Sequence, residues 1–295
     1  MISAIIPVKD RANSRIQRCI DSIKLYIDEI IVIDYGSKTP VKLKGAKIIR
    51  FTKSAIWNKS HALNIGIKKS KGDFIMAVDC DIIIPREVME SILGNVAPNT
   101  LIVDTNVRRI KVKDVMNPDK SWPWSRGDRR IMIYSRANGG FQLFPRDWIF
   151  KVRGYDENLI YWGGIDNDLY ERAYLGGLTM VDINLPIFHQ EHPMKEANLK
   201  DPEERDLAEF MRMERSKYLS DKLNNRGIVG PAVWGVSRSQ TRRMEGLQKR
   251  FKRERKRREK ERKALLSEIS RNIEKSKKEF KLKGTKYKIF YPDEK

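Results

Sequence analysis

The chain has 295 residues, with 60 Lys and Arg against 39 Asp and Glu, for a formal net charge of +21. That length allows one large α/β domain plus an appendage. Its two cysteines, Cys19 and Cys80, build neither a disulfide framework nor a zinc-type spacing, which fits a reducing compartment. No apolar run approaches the ~20 residues needed to span a bilayer. The strand-like stretch Ile2 to Val8 follows Met1 directly and leaves no room for a signal peptide. A cytoplasmic protein is expected, in the host cytoplasm if the source is viral.

Residues 3 to 11 open with a buried strand closed by Pro7. Ile16, Cys19, Ile20 and Ile23 recur at helical spacing and predict an amphipathic helix over residues 14 to 26. Glu29 begins a second strand with Asp34 at its end, and Gly36 permits a tight turn after it. Lys47 to Phe51 reads as a short third strand, and Trp57 to Lys69 as a helix carrying Ala62, Leu63, Ile65 and Ile67. Phe74 to Val78 is apolar, too short for a helix and preceded by Gly72, so it reads as a buried strand. This rhythm of strands and helices is that of an open, mostly parallel sheet. No Gly-rich dinucleotide fingerprint follows the first strand, which speaks against an NAD enzyme.

Asp79 and Asp81 stand where that last strand ends, with Cys80 between them. In an α/β sheet ligands gather outside the carboxyl ends of strands. Two carboxylates this close repel unless something positive lies between them. A divalent cation carrying a diphosphate answers that need, because hard oxygen ligands suit magnesium or manganese. The competing reading is a strand-end turn, where Asp is common for its backbone hydrogen bonds. Further on, Trp122 and Trp124 flank Pro123 in a polar stretch. They read either as a lid or stacking platform for a sugar or base, or as the filling of a small apolar gap.

Several segments then occur in a familiar order. Ala4-Ile-Ile-Pro-Val-Lys-Asp-Arg, Ile33-Asp-Tyr-Gly-Ser, Asn58-Lys-Ser-His-Ala-Leu-Asn-Ile-Gly and Lys71-Gly-Asp-Phe-Ile-Met-Ala-Val-Asp-Cys-Asp resemble family 2-like glycosyltransferases of the GT-A fold. Asn138-Gly-Gly-Phe-Gln-Leu-Phe and Gly154-Tyr-Asp-Glu-Asn-Leu-Ile-Tyr-Trp-Gly-Gly-Ile-Asp-Asn-Asp are similar to the acceptor-side motif of chondroitin-polymerase, mucin-type GalNAc-transferase and β-1,4-galactosyltransferase catalytic domains. Pro186-Ile-Phe-His-Gln-Glu-His resembles their metal-binding histidine segment. The resemblance covers about residues 1 to 200 and implies an α/β GT-A (Rossmann-like nucleotide-sugar) domain that takes a UDP-sugar donor with Mn2+ or Mg2+.

Residue by residue, the resemblance implies donor contacts from Pro7, Arg11, Asp34, Asn64, Asp79, Trp162, Gly163 and Gly164. Asp34 would meet the uracil or ribose, and its alternative is a turn aspartate. Asp81 would hold the metal with His189, with Asp79 beside them and His192 as the other candidate histidine. Neutral imidazole suits manganese. His61, on a helix without a nearby carboxylate in sequence, reads as structural. Asp166 falls where the inverting enzymes keep a general base, which an attacking hydroxyl needs. Asp168 is the second candidate base, or a helix N-terminal charge. The related enzymes usually have Glu where this chain has Ile165, so one acceptor contact is missing.

Past residue 200 the family pattern fades, giving expected boundaries of 1–200 for the transferase domain, 201–235 for a helical segment and strap, and 236–295 for a tail. From residue 235 onward 23 Lys and Arg face 9 Asp and Glu, a net of +14, which leaves +7 for the first 234 residues. Residues 249 to 263 hold 11 basic residues in 15, with no Pro or Gly. Glu254/Arg258 and Glu259/Lys263 stand at the favourable i,i+4 spacing, which predicts one long basic helix. Such a charge run is either a solvated helix or a polyanion-binding one. An excess this one-sided favours nucleic acid over membrane, since the helix lacks a wide apolar face.

The expected acceptor side therefore comprises Trp122, Trp124, Lys252, Arg253 and Arg257. The acceptor itself is a hydroxyl, either of a modified DNA base, as in bacteriophages that decorate hydroxymethylated bases, or of a glycan or protein. A nucleic-acid-binding protein with a degenerate transferase domain is the reading from another class, and Ile165 is its one hint.

Overall fold

A computed structural model describes residues 1–52, 56–110, 140–160, 164–192, scattered positions between 206 and 217, residue 230 and residues 232–282. Trp122, Trp124, Trp162 and Gly163 lie outside the described residues. The chain forms two units, Met1–Met244 and Glu245–Lys295.

The first unit is built on a seven-stranded sheet. In chain order its strands are β1 (Ile2–Val8), β2 (Glu29–Asp34), β3 (Lys47–Arg50), β4 (Phe74–Val78), β6 (Thr100–Val103), β8 (Phe141–Pro145) and β9 (Thr179–Asp182). Their spatial order is β3-β2-β1-β4-β8-β6-β9. β1 to β4 run parallel, β8 is antiparallel to both its neighbours, and β9 is parallel to β6. A second sheet has the order β5-β10-β7, from β5 (Ile82–Ile83), β7 (Val107–Ile110) and β10 (Ile187–Gln190).

Both faces of the large sheet are covered, which is why its central strands are continuously apolar. Ala4, Ile6 and Val8 of β1 face a cluster with Ile16, Cys19, Ile20 and Ile23 of α1 (Asn13–Ile23) and Val88, Met89 and Ile92 of α3 (Arg86–Gly94). Ile5 faces the other way, toward Ala62, Leu63 and Ile67 of α2 (Lys59–Lys69). The same cluster takes in Trp148 and Ile149 of α4 (Arg146–Lys151) and Leu169 and Ala173 of α5 (Ile165–Leu175). The period-2 alternation of the strand thus sorts single residues between two cores.

α2 lies close on β1 because Gly66 has no side chain, and a Cβ there would collide with Ile5. The helix expected over residues 14 to 26 ends at Ile23, where Tyr26 N–H turns back to the Ile23 carbonyl. α2 begins two residues later than expected, since Asn58 serves as its N-cap and accepts from His61 N–H at 2.9 Å.

Near the end of the first unit, Trp234 is buried against Phe150 at 5.3 Å between ring centroids, with Lys68 Nζ 4.5 Å over its ring. Gly235 N–H bonds the buried carboxylate of Glu157. The basic segment belongs to α6 (Ser237–Leu282), a single helix of 46 residues. Its i,i+4 pairs form as the spacing predicts, with Arg258 3.1 Å from Glu254 and Lys263 3.2 Å from Glu259. Among the described residues, no helix is long and apolar enough to cross a membrane.

Candidate active site

A cavity of about 390 Å³ opens at the carboxyl ends of β1 and β4, where the sheet topology directs ligands. Pro7, Val8, Lys9 and Arg11 line it from the end of β1, and Asp79, Cys80 and Asp81 from the end of β4. Trp57 and Lys59 reach it from the start of α2, Ile165 and Asp166 from the start of α5, and His189 and His192 from β10 and just beyond. Segments far apart in the chain meet here.

The second sheet explains the histidines. His189 pairs with Ile82 across β10 and β5, and Gln190 N–H bonds the Asp81 carbonyl at 2.8 Å. That register sets His189 Nε2 3.5 Å and His192 Nε2 3.3 Å from Asp81 Oδ2. One ligand atom from each of the three residues falls within 4.8 Å of the others. Two ligands held about 2.1 Å from one ion stand roughly 3.0 Å apart at an octahedral angle and 3.4 Å at a tetrahedral one. The two separations from Asp81 lie close to the tetrahedral value. One carboxylate and two imidazoles also form a donor set suited to manganese.

Sequence alone left His189 and His192 as alternatives; the fold brings both to Asp81. Asp79 stands apart from this trio, bonded instead to Lys59 Nζ at 2.7 Å. Burial raises the Asp81 pKa, but a hydrogen bond from His192 and the charges of His189, His192 and Arg11 outweigh it and hold the carboxyl at about 2. Burial pushes the Asp79 carboxyl up against the pull of Lys59, and the charges of Asp166 and Asp81 push the same way.

Gly164 opens α5 in the left-handed region at φ 77°, and Asp166 follows in the first turn. Its carboxylate Oδ1 lies 3.3 Å from Lys59 Nζ, and its main-chain carbonyl accepts from Gln142 Nε2 at 3.0 Å. Gln142 is held in turn by Tyr155 Oη, which donates to its Oε1 at 2.9 Å. Burial disfavours the Lys59 ammonium, yet Asp166 and Asp79 outweigh that and hold its pKa above the usual lysine value. Ile165, where related enzymes usually carry Glu, is 2% exposed and packs with Leu169 in the core.

Three expected site residues take other partners. Asp34 is fully buried, accepts from Ser37 N–H at 2.9 Å and pairs with Arg50 at 3.3 Å. Asn64 is fully buried, donating to the Tyr155 carbonyl and Glu157 Oε1 at 2.9 Å and accepting from Tyr155 N–H at 2.8 Å. Asp168 pairs with the buried Arg172 at 2.9 Å, and Arg172 donates onward to the Gly154 carbonyl. None of the three lines the cavity. The physical reason is common to them: a buried polar side chain needs an internal partner, and each has found one.

Sequence reading assigned no role to Lys59, Gln142 or Tyr155. Lys59 stood inside a motif already singled out, so its signal was present; Gln142 and Tyr155 act through contacts that only folding creates. Lys252, Arg253 and Arg257 lie exposed on α6, and Arg257 bonds Glu254 and Glu261.

Residues 3–158 match glycosyl transferase family 2, and residues 129–193 match the N-terminal domain of galactosyltransferase. A chondroitin synthase from Escherichia coli is 23% identical over 248 residues, which cover 66% of this chain and 35% of that protein. The chain thus spans about a third of the length of that curated relative. Among solved structures, GalNAc-T7 with UDP, GalNAc and Mn2+ is similar at TM-score 0.48 and 15% identity, covering 73% of this chain and 51% of that one. Glucosyl-3-phosphoglycerate synthase from Mycobacterium tuberculosis, with Mn2+, UDP and glucosyl-3-phosphoglycerate, is similar at TM-score 0.44 and 17% identity, covering 72% and 79%.

A mostly parallel sheet covered by helices, with a carboxylate and histidine cluster beyond the carboxyl end of β4, is an α/β architecture consistent with the GT-A fold. The chain belongs to glycosyl transferase family 2, whose match covers more than half of it.

Proposed function

We propose that the protein moves a sugar from a UDP-sugar to an acceptor hydroxyl with inversion at the anomeric carbon. The observation that carries this reading is one cavity lined by the Asp81, His189 and His192 trio and by Asp166. One carboxylate base together with a metal site is the asymmetry of a transferase, whereas a hydrolase of glycosides uses paired carboxylates.

Asp81, His189 and His192 would hold Mn2+ or Mg2+, which when bound supplies compensation for the charge of a departing diphosphate. Asp79 faces the ribose, and Pro7, Arg11 and Trp57 enclose the nucleotide. As the acceptor oxygen forms its bond to the anomeric carbon, the carbon–oxygen bond to the diphosphate breaks and its electron pair leaves with UDP. Asp166 accepts the acceptor proton.

For the acceptor we favour a modified base in DNA, carried by the exposed basic face of α6 with its 11 basic residues in 15. Residues 236–295 then act as an acceptor-capturing unit of a protein that works in the cytoplasm. The similarity to a chondroitin synthase favours a glycan acceptor instead. UDP release from UDP-glucose, UDP-galactose and UDP-GalNAc with Mn2+ tests the donor chemistry. Stimulation by hydroxymethylated DNA, and none by chondroitin oligosaccharides, is the expected outcome. Stimulation by the oligosaccharide alone would overturn the DNA reading, and no release from any donor would overturn transfer itself.

A further inference from the structure

We propose that Lys59 is a positioning residue, whose ammonium ties the Asp166 carboxylate to Asp79 and so sets the direction in which the base faces. The inference rests on Asp166 being the base.

Lys59 lies 2.7 Å from Asp79 Oδ1 and 3.3 Å from Asp166 Oδ1, and its side chain is only 14% exposed. It is the first residue of α2 and follows the N-cap Asn58 directly. The preceding Asn58 caps the helix through its Oδ1 and donates from Nδ2 to the Glu157 carbonyl at 3.0 Å. The start of α2 is thereby fastened to the segment that leads into α5.

Asp166 is fixed in a complementary way. Gln142 holds its main-chain carbonyl, which leaves the side-chain torsion as the freedom still to be set. Lys59 sets it by engaging Oδ1, and Oδ2 is left to take a proton from the acceptor. Without the ammonium, Asp79 and Asp166 would be two neighbouring carboxylates that no longer share a cation, and repulsion would swing Asp166 outward. A base turned away from the reacting oxygen loses rate while the donor still binds, because Pro7, Arg11, Trp57 and the Asp81, His189 and His192 trio remain to hold it.

The test uses the full chain with Mn2+, measuring UDP release to water from UDP-glucose, UDP-galactose and UDP-GalNAc, with UDP affinity by calorimetry. Lys59→Met should lower kcat by about 10- to 100-fold while KM and the UDP Kd move less than about threefold. Lys59→Arg, which keeps the cation, should recover about tenfold of a large loss. In an Asp166→Asn background, Lys59→Met should cost less than about threefold more, since a residue that acts through Asp166 has nothing left to orient.

An unchanged UDP Kd shows that the variant is folded, and Lys59→Gln serves as the second variant if Lys59→Met is not. A rise in KM with kcat intact would make Lys59 a donor-binding residue and overturn the proposal. An equal loss with and without Asp166 would do the same. If Asp166→Asn is dead and Lys59→Met runs at the wild-type rate, only the role of Lys59 falls. If Asp166→Asn keeps the wild-type rate, the base assignment falls, and the Lys59 proposal with it.

Discussion

Asp81 is the residue on which the site turns. Its carboxylate faces two imidazoles and Arg11, so it stays ionised well into acid and is ready to take a cation. Asp81→Ala should cut turnover on the order of a thousandfold or more, comparable with losing a main electrostatic stabiliser of the leaving group. EDTA should reproduce the loss and added Mn2+ should reverse it; full turnover in EDTA would reduce Asp79 and Asp81 to turn residues. His61 has a different task. It is fully buried against Phe51, hydrogen-bonded to Tyr35 at 2.9 Å, and burial lowers its pKa from 6.5 to about 4. Between pH 6.5 and 4 the unfolded chain therefore binds the extra proton. Stability is full above 6.5 and declines as the pH falls, by up to about 3 kcal/mol. Urea midpoints of the wild type and His61→Gln, compared from pH 7 to 4, should show a shallower decline in the variant. Parallel curves would contradict the assignment.

Among the elements, α2 does the most to assemble the site. Its N-terminus delivers Trp57 and Lys59 to the cavity, and its Asn58 and Asn64 side chains bind the Tyr155 to Glu157 segment from the far side. The Gly154-Tyr-Asp-Glu-Asn motif is therefore partly a fastening: Tyr155 supports Gln142, and Glu157 receives Asn64 and Gly235. The close approach of α2 to β1 depends on Gly66. Gly66→Ala should destabilise the protein by about 1–3 kcal/mol, the usual cost of overpacking, despite the better helix propensity of alanine. Thermal unfolding measures this, and a raised Tm would show that Ile5 moves aside at little cost. β10 is the other decisive element, because its register with β5 places His189 beside Asp81. A slip of one residue would turn the imidazole to the opposite face.

At the scale of the whole molecule, charge is segregated: the stretch from residue 235 carries +14 of the +21. If α6 tracks a phosphate backbone, its cations displace condensed counterions, and affinity for duplex DNA falls with salt at a log–log slope of about −0.9 per phosphate neutralised. Replacing Lys252, Arg253, Lys256 and Arg257 together with Gln should flatten that slope by roughly three to four. It should leave UDP release to water unchanged, because the proposed donor chemistry uses residues of the first unit alone. An unaltered slope would remove the support for a nucleic-acid acceptor and leave the glycan as the better one.

Much of this protein was legible before folding. The apolar runs of β1, β2 and β4, the amphipathic spacing of α1 and the unbroken basic helix are local patterns, and period and composition suffice to read them. Asp79, Asp81 and Asp166 could be singled out as candidates because each stands at an element end inside a motif, and all three line the cavity. What sequence could not decide was which side chains spend their hydrogen bonds internally. Asp34, Asn64 and Asp168 belong to the same motifs, yet they are buried and satisfied by Arg50, Glu157 and Arg172. Nor could it choose between His189 and His192, or see that Lys59 bridges residues 20 and 107 positions further along the chain. Those outcomes depend on the crossing of strands and helices remote in sequence, and only the tertiary structure sets such distances.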